Sequence, residues 1–414
     1  METRMTAFGS RSGLAGPART AFTGALLLFV VTIVIGILNG IDVWEPEHDT
    51  LLTHVHAGTL GWITLGVTGL SLLLFSRDRE VSADEAKRAS TLAWAMVAAI
   101  TLYVGAFFAG DTIFDDRIQR PIFGTLLLLT VIWFLSWVVS ANKQYSDRSP
   151  ARLGILLAWI SMLIGAVFGI TLGLYIANGE VPGLSDETAA RVADAHPPAM
   201  LIGYLLLAGF AAVNWLLHSD KPARSGMIQM WLLFGAGILV NIAFVTGTDE
   251  QLAGPANLAM IVAVVMLVWQ SRRELSPAGW KGAGEGAFPR VATVALVVGL
   301  ALLTVLIYWV INDEIDFDAL TPSQEGLGLG FDHTMFIAVM SNVLFGVLAA
   351  NLSSARTKMV NRIVLWGVNV GIAGFVIGLV TTTQVLKQIF TPIMGTSLLI
   401  GIAVYVMELR SSST

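Results

Sequence analysis

Polarity varies along this chain on one length scale. Long apolar runs alternate with short polar segments. Twelve runs fall near residues 22–41, 52–76, 91–110, 121–141, 153–177, 198–217, 227–246, 256–271, 291–311, 334–353, 363–383 and 389–407. A helix crossing a bilayer needs roughly 20 predominantly apolar residues. Inside lipid, a helix satisfies its own backbone N–H and C=O groups. The pattern therefore predicts an all-α membrane protein of twelve transmembrane helices. The short alternating segments of a membrane β-barrel are absent. Composition agrees, since 55% hydrophobic and 13% charged residues with mean hydropathy +0.74 exclude an ordinary soluble domain. The first run follows Arg4, Arg11 and Arg19, as a signal peptide would. Its length and the lack of a small-residue cleavage site favour an uncleaved span.

Charge orients the bundle. With the N-terminus inside, the inner segments hold 20 of the 24 Lys and Arg, and loops 41–51, 247–255 and 312–332 hold none. Such a bias predicts both termini in the cytoplasm of a plasma membrane. Acids run the other way: 19 of 29 Asp and Glu lie in outer loops, six of them from Asp313 to Asp332. The net charge of −5 is a sum over two unlike faces. No basic stripe suggests nucleic acid as a partner; the surrounding partner is membrane lipid.

Residues 1–18 read as a cytoplasmic tail and 19–410 as a single twelve-helix domain. The longest inner loop, 272–290, merely joins helices eight and nine. Hydropathy period and histidine position divide the domain into three four-helix units, near 20–150, 151–290 and 291–410. His54 and His56 open the second run, His196 the sixth and His333 the tenth. Histidines at one edge of every fourth helix suit ligands around a shared cofactor. The chain has no cysteine, which excludes disulfides, thiolate metal sites, iron–sulfur clusters and covalently attached haem. No Asp, Glu, Lys or Arg lies within the apolar cores. The histidines are thus the ionisable groups nearest membrane depth, where such groups are costly and functional by default.

Residues i and i+2 of a helix differ by about 200° in direction. His54 and His56, in Thr53-His54-Val55-His56-Ala57-Gly58-Thr59-Leu60-Gly61-Trp62, therefore cannot ligate one metal from one face. They can serve two centres on opposite sides of the helix. Ala57, Gly58 and Gly61 leave room for a flat macrocycle, or simply for a neighbouring helix. This stretch resembles the His-Val-His-small-Gly-x-Leu-Gly-Trp signature of the catalytic subunit of cbb3-type haem-copper oxidases. Asp194-Ala195-His196-Pro197-Pro198 is similar to the His-Pro that opens the copper-ligand helix of related oxidases. The resemblance implies a haem-copper-oxidase subunit I-like fold with pseudo-threefold symmetry and metal centres near the outer side. It also implies b-type haem (heme b), one or two, with copper as a further candidate.

The departures are informative. The family's His-x-His lies on helix ten, but here it is on helix two. The adjacent His-His pair of helix seven is missing from 227–246, Met200 stands one turn from His196, and Tyr204 two turns on. In size and helix count the chain is similar to NnrS-like membrane haem proteins, linked to nitric oxide handling. Two ligand assignments follow for His54, His56, His196 and His333. In family order, His56 and His333 clamp a haem while His196 holds a metal or supports the pocket. With the units rotated by one, His56 pairs with His196, and His54 and His333 serve the second centre.

Weaker candidates complete the set. His48 lies in an acidic loop and reads as solvated; His218 reads as an inner-loop residue without a metal role. Met200 and Met335 could ligate a metal, though packing suits them better. Asp111, Asp194 and Asp332 could orient an imidazole, while N-capping explains Asp194 and Asp332 equally. Asn241, Asn342 and Asn369 read as buried amides bonding between helices, and the 12 Trp as mostly marking interface belts. The expected function is haem-based redox chemistry on a small diatomic ligand, nitric oxide before oxygen, or electron transfer. The electron donor would be a quinone or cytochrome, or an oxidase-type partner subunit. The rival expectations are a non-catalytic haem or copper sensor, chaperone or assembly factor, and then a metal transporter.

Overall fold

The computed structural model describes residues 13–110, 117–219, 221–312, 314, 319–352 and 354–411. They are helical, with no strand among the described residues. Twelve helices are long and apolar enough to span a membrane. The first six are α1 (Ala15–Gly40), α2 (His48–Leu74), α3 (Ala83–Ala109), α4 (Gln119–Asn142), α5 (Pro150–Asn178) and α6 (Asp186–His218). The second six are α7 (Arg224–Thr246), α8 (Asp249–Gln270), α9 (Gly284–Ile311), α10 (Pro322–Asn351), α11 (Ala355–Val380) and α12 (Gln384–Ser411). Each apolar run lies in one helix, as a helical membrane protein requires.

The helices outrun the apolar stretches that predicted them. Hydropathy marks the lipid-buried portion, whereas helix starts are set by caps in the polar flanks. Ser82, Ser149, Ser185, Thr321 and Ser354 each accept a hydrogen bond from the backbone N–H three residues on. Thr321 and Gln324 complete a reciprocal capping box. Two expectations change as a result. Ser185 and Thr321 cap α6 and α10, so Asp194 and Asp332 lie inside those helices and cap neither. At the N-terminus, α1 begins at Ala15 within the expected tail, with Ala15, Pro17 and Ala18 buried.

Burial separates the twelve helices into two groups. The apolar windows of α2, α6 and α10 are 89%, 78% and 83% buried, against 22–50% for the other nine. Every fourth helix, starting from the second, therefore forms a central trio. The others surround it, and α1 packs against α12 to join the chain's two ends. The trio makes close mutual contact. Trp62 of α2 donates through Nε1 to Ser341 Oγ of α10 at 2.9 Å. The Tyr204 hydroxyl of α6 lies beside Thr64 of α2. Gly209 of α6 faces Val339 and Met340 of α10. Each central helix also contains a π-helical stretch: Ala57–Thr64, Ala199–Leu205 and Thr334–Ser341. Such wide turns are rare and concentrate at functional sites. Here each begins within three residues of a candidate histidine.

Several buried polar groups are bonded between helices, as lipid surroundings favour. Asn342 and Asn369 join α10 to α11 through two bonds of 2.8 and 3.0 Å. Gln229 of α7 accepts from Asn214 of α6 and donates to Ala263 O of α8. Asn241 is buried as expected, but its Oδ1 has no hydrogen-bond partner among the described residues. The tryptophans divide. Trp94, Trp231, Trp269 and Trp366 face outward, whereas Trp62, Trp159 and Trp215 are buried in the core. Core packing and the Ser71 and Ser341 acceptors for Trp159 and Trp62 override the belt reading there.

The tightest helix pair is α11 with α12. Gly367, Gly371, Gly374 and Gly378 present one face of α11 to Ser397, Met394, Phe390 and Leu386. A Cβ added at Gly371 would lie 2.6 Å from Met394 Cβ and 2.7 Å from its backbone nitrogen, so the helices must separate. Gly371→Ala is expected to cost about 1–3 kcal/mol by overpacking, read as a lower unfolding temperature in detergent. Gly235→Ala, with nothing within 4 Å of the new methyl, should leave that temperature unchanged or slightly higher.

Candidate functional site

Backbone carbonyls fix the four histidines of the central trio. His54 Nδ1 lies 2.9 Å from Thr32 O of α1, and His56 Nδ1 lies 2.8 Å from Leu52 O. His196 Nδ1 lies 2.8 Å from Gly165 O of α5, and His333 Nδ1 lies 2.8 Å from Leu329 O. A carbonyl oxygen only accepts, so each Nδ1 carries the proton and donates. The remaining nitrogen, Nε2, then presents a lone pair, and in none of the four does it have a partner among the described residues. Histidines that bind metals are arranged this way: one nitrogen tied to a carbonyl, the other free to ligate. The acceptor could equally have been a carboxylate, but Asp194 and Asp332 do not take that part. Asp111 lies outside the described residues.

Helix geometry sorts the four rings into two pairs. His54 and His56 point to opposite sides of α2, as their spacing requires. His54 turns toward α1 and α10, where its ring and that of His333 lie within electrostatic reach. His56 turns toward α3 and α6, where it is in reach of His196. These neighbours group His54 with His333 and His56 with His196, as the rotated assignment does.

Each pair has glycine on one side and an aromatic ring on another. A Cβ at Gly36 would lie 3.0 Å from His54 Cε1, and one at Gly169 would lie 2.7 Å from His196 Cε1. Glycine at these places lets an imidazole lie flat against the neighbouring helix. Phe107 stacks on His56 with centroids 3.9 Å apart and planes 15° apart, and Tyr103 meets His56 edge-on at 5.7 Å. Phe375 meets His333 edge-on at 5.1 Å. The third seam of the trio, between α6 and α10, contains no histidine. A wholly apolar cleft lies there, flanked by α8 and α9 and lined by Ile202, Leu300, Phe331 and Met335 among others.

The remaining candidates fall outside the pairs. Met335 lines the apolar cleft and faces Gly299, while Met200 faces Gly165. Both pack rather than point at an imidazole. His48 is exposed at the start of α2. His218 bonds Ser271 through Nε2 at 3.1 Å, the reverse of the pattern in the four. Among the described residues no three His, Asp or Glu side chains cluster as a metal ion would need.

One participant was not singled out from the sequence. Arg120, in the first turn of α4, is only 4% exposed and bonds Asp49 Oδ1 through Nη2 at 2.6 Å. Its guanidinium lies 4.8 Å from the centre of the Phe107 ring that stacks on His56. The available signal was scarcity, since cations are few on the acidic side of this chain.

No family model and no curated protein matches the chain.

Nitrogen-15 spectra of histidine-labelled protein without cofactor test the ring assignment. Four of the six histidines should show the Nδ1–H form; a majority in the Nε2–H form would overturn it.

Proposed function

We propose that this chain is a haem-binding membrane protein that holds two b-type haems, one between His56 and His196 and one between His54 and His333. The observation that carries the reading is the arrangement of the four imidazoles. Each is locked by a backbone carbonyl with Nε2 unpartnered, and each is paired across the central trio with a second ring in the same state. A haem requires axial nitrogens of this kind and a flat, largely apolar slot. The glycines at Gly36 and Gly169 seat the imidazoles of His54 and His196, and Phe107 and Phe375 give the surroundings of His56 and His333 the apolar character such a slot needs. Copper forms no part of the proposal, because the described residues offer no three-ligand cluster.

A haem with two imidazole ligands passes single electrons and is closed to gases. Electron transfer is therefore favoured over chemistry on nitric oxide or oxygen. In this reading His196 and His333 draw their centres toward α6 and α10. His54 and His56 join the two centres through a single turn of α2. Electrons would enter from a membrane quinol or a protein donor, because a chain without cysteine carries no attached haem or copper–thiolate relay. The charge bias supports placing the histidine end outside and both termini in the cytoplasm of a plasma membrane. The central trio, taken with its three π-helical stretches, supports three related four-helix units and kinship with the haem-copper oxidase fold.

Visible spectra of protein purified from haem-replete cells test the proposal. Two six-coordinate b-type components that ignore carbon monoxide are expected. His56→Ala and His196→Ala should each remove or open one component, and His54→Ala and His333→Ala the other. Colourless wild-type protein would refute the reading. Loss of one shared component in His56→Ala and His333→Ala would refute the pairing alone.

A further inference from the structure

The end of the bundle opposite the histidines carries a shaped surface of its own. Helix α8 ends at Gln270 and α9 begins at Gly284, and the turn between them is folded rather than slack. Ser276 accepts from the backbone N–H of Gly279 at 3.2 Å and donates to Arg273 O at 2.7 Å. Trp280 donates through Nε1 to Leu275 O at 3.1 Å, and Arg290 of α9 donates through Nε to Glu274 O at 2.9 Å. Gly279 packs so closely that a Cβ there would lie 2.5 Å from Arg273 O. The chain thus doubles back on itself just before Lys281. Ser271 ties the turn to the central trio, its hydroxyl lying 3.1 Å from His218 Nε2 at the end of α6.

Charge on this platform is one-sided. Within residues 269–290 the exposed charged side chains are Arg272, Arg273 and Lys281, all cations. None of the three has a carboxylate partner among the described residues. The acids Glu274 and Glu285 are half-buried. Glu274 keeps one oxygen inside the protein, in electrostatic reach of His218, and does not neutralise the surface. Arg272 lies over the Trp269 ring, 4.7 Å from its centre, and donates through Nη1 to Trp269 O at 2.8 Å. Those contacts hold the guanidinium in place and leave most of its five N–H donors for a ligand. Trp269, in the last turn of α8, is 68% exposed, and Trp280 is exposed as well. Indoles so placed sit where hydrocarbon meets headgroups, which puts the three cations at phosphate level.

We propose that the α8–α9 turn is a binding site for an anionic phospholipid, with the phosphate on Arg272, Arg273 and Lys281 and the upper acyl chains against Trp269 and Trp280. Charge complementarity selects this occupant. A zwitterionic lipid brings its own ammonium beside the phosphate, which three cations without acidic partners disfavour. A free phosphate gains nothing from the two indoles. Arginine takes phosphate oxygens through forked, charge-assisted hydrogen bonds. The charge bias supports this end as the cytoplasmic one, whose leaflet carries the anionic lipids. Bound lipid clamps the turn between α8 and α9, and through Ser271 and His218 it steadies the far end of the helix that carries His196. The site stands independently of the haem reading.

The experiment uses the full chain in neutral detergent with phosphatidylglycerol, phosphatidylcholine of the same acyl chains, or glycerol phosphate. Retained lipid is read by native mass spectrometry, and stability as the unfolding temperature. Wild type is expected to retain phosphatidylglycerol in preference and to unfold at a higher temperature with it. Arg272→Gln, Arg273→Gln and Lys281→Gln should each weaken retention about fivefold, the effect of one cation near charged lipid. Lys143, Arg148 and Lys358, exposed cations at the same end, should together be replaceable by Gln without loss of retention. Equal loss in that control would mark diffuse attraction and overturn the proposal. So would equal retention of the two phospholipids by wild type, or a temperature shift from glycerol phosphate as large as that from phosphatidylglycerol. Without added lipid the three single variants should unfold with wild type; a lower value there would make the cations structural and overturn the site.

Discussion

An imidazole placed within a membrane bundle must find a partner for each ring nitrogen or leave it to a ligand. Water is scarce there, and an unsatisfied polar group costs several kcal/mol. In this protein the backbone supplies half of the solution. Thr32, Leu52, Gly165 and Leu329 each offer a carbonyl to an Nδ1. Two of these carbonyls belong to the preceding turn of the same helix, and two to neighbouring helices. A helix carbonyl that already serves the backbone ladder has a second lone pair to give, so the ladder need not be broken. Everything at the site depends on this arrangement, because it leaves the same nitrogen available on all four rings.

The second requirement is that two pairs stay separate while sharing one helix. The angular step along α2 sends His54 and His56 apart, and the central trio brings a second histidine within electrostatic reach of each. Trp62 fixes α2 against α10 through Ser341, with Phe29 stacked on its other side at 4.8 Å. Trp159 holds α5 to α2 through Ser71. These buried indoles lie below the histidine level and set the distances that the rings above inherit. The polar links among α6, α7 and α8 do the same for His196.

Much of this was legible in the sequence. Twelve spans follow from hydropathy, since lipid leaves the chain few alternatives. The two-sidedness of His54 and His56 follows from a spacing of two. What could not be read is which distant helix meets which ring, and the nearness of His56 to His196 emerged only from the packing of the trio. Helix starts were misjudged because Ser185 and Thr321 cap their helices well outside the apolar runs, which placed Asp194 and Asp332 in the helix interior. Trp62 and Trp159 could not be told from the belt residues because composition does not distinguish an indole at the lipid boundary from one with a buried serine acceptor. Arg120 escaped notice because its partner Asp49 lies on another helix, 71 residues away.

The π-helical stretches have a consequence for how such a chain can change. A π turn accommodates an additional residue without altering the path of the helix on either side. Ala57–Thr64, Ala199–Leu205 and Thr334–Ser341 can therefore absorb a change in residue number. Removing a single residue from one of them would restore an α-helix there while the turns on either side kept their direction. Removing one from an ordinary α-helical turn would instead swing everything upstream by about 100°. The wide turns are thus the places where a scaffold of this kind can gain or lose a residue and still keep its histidines facing the same neighbours.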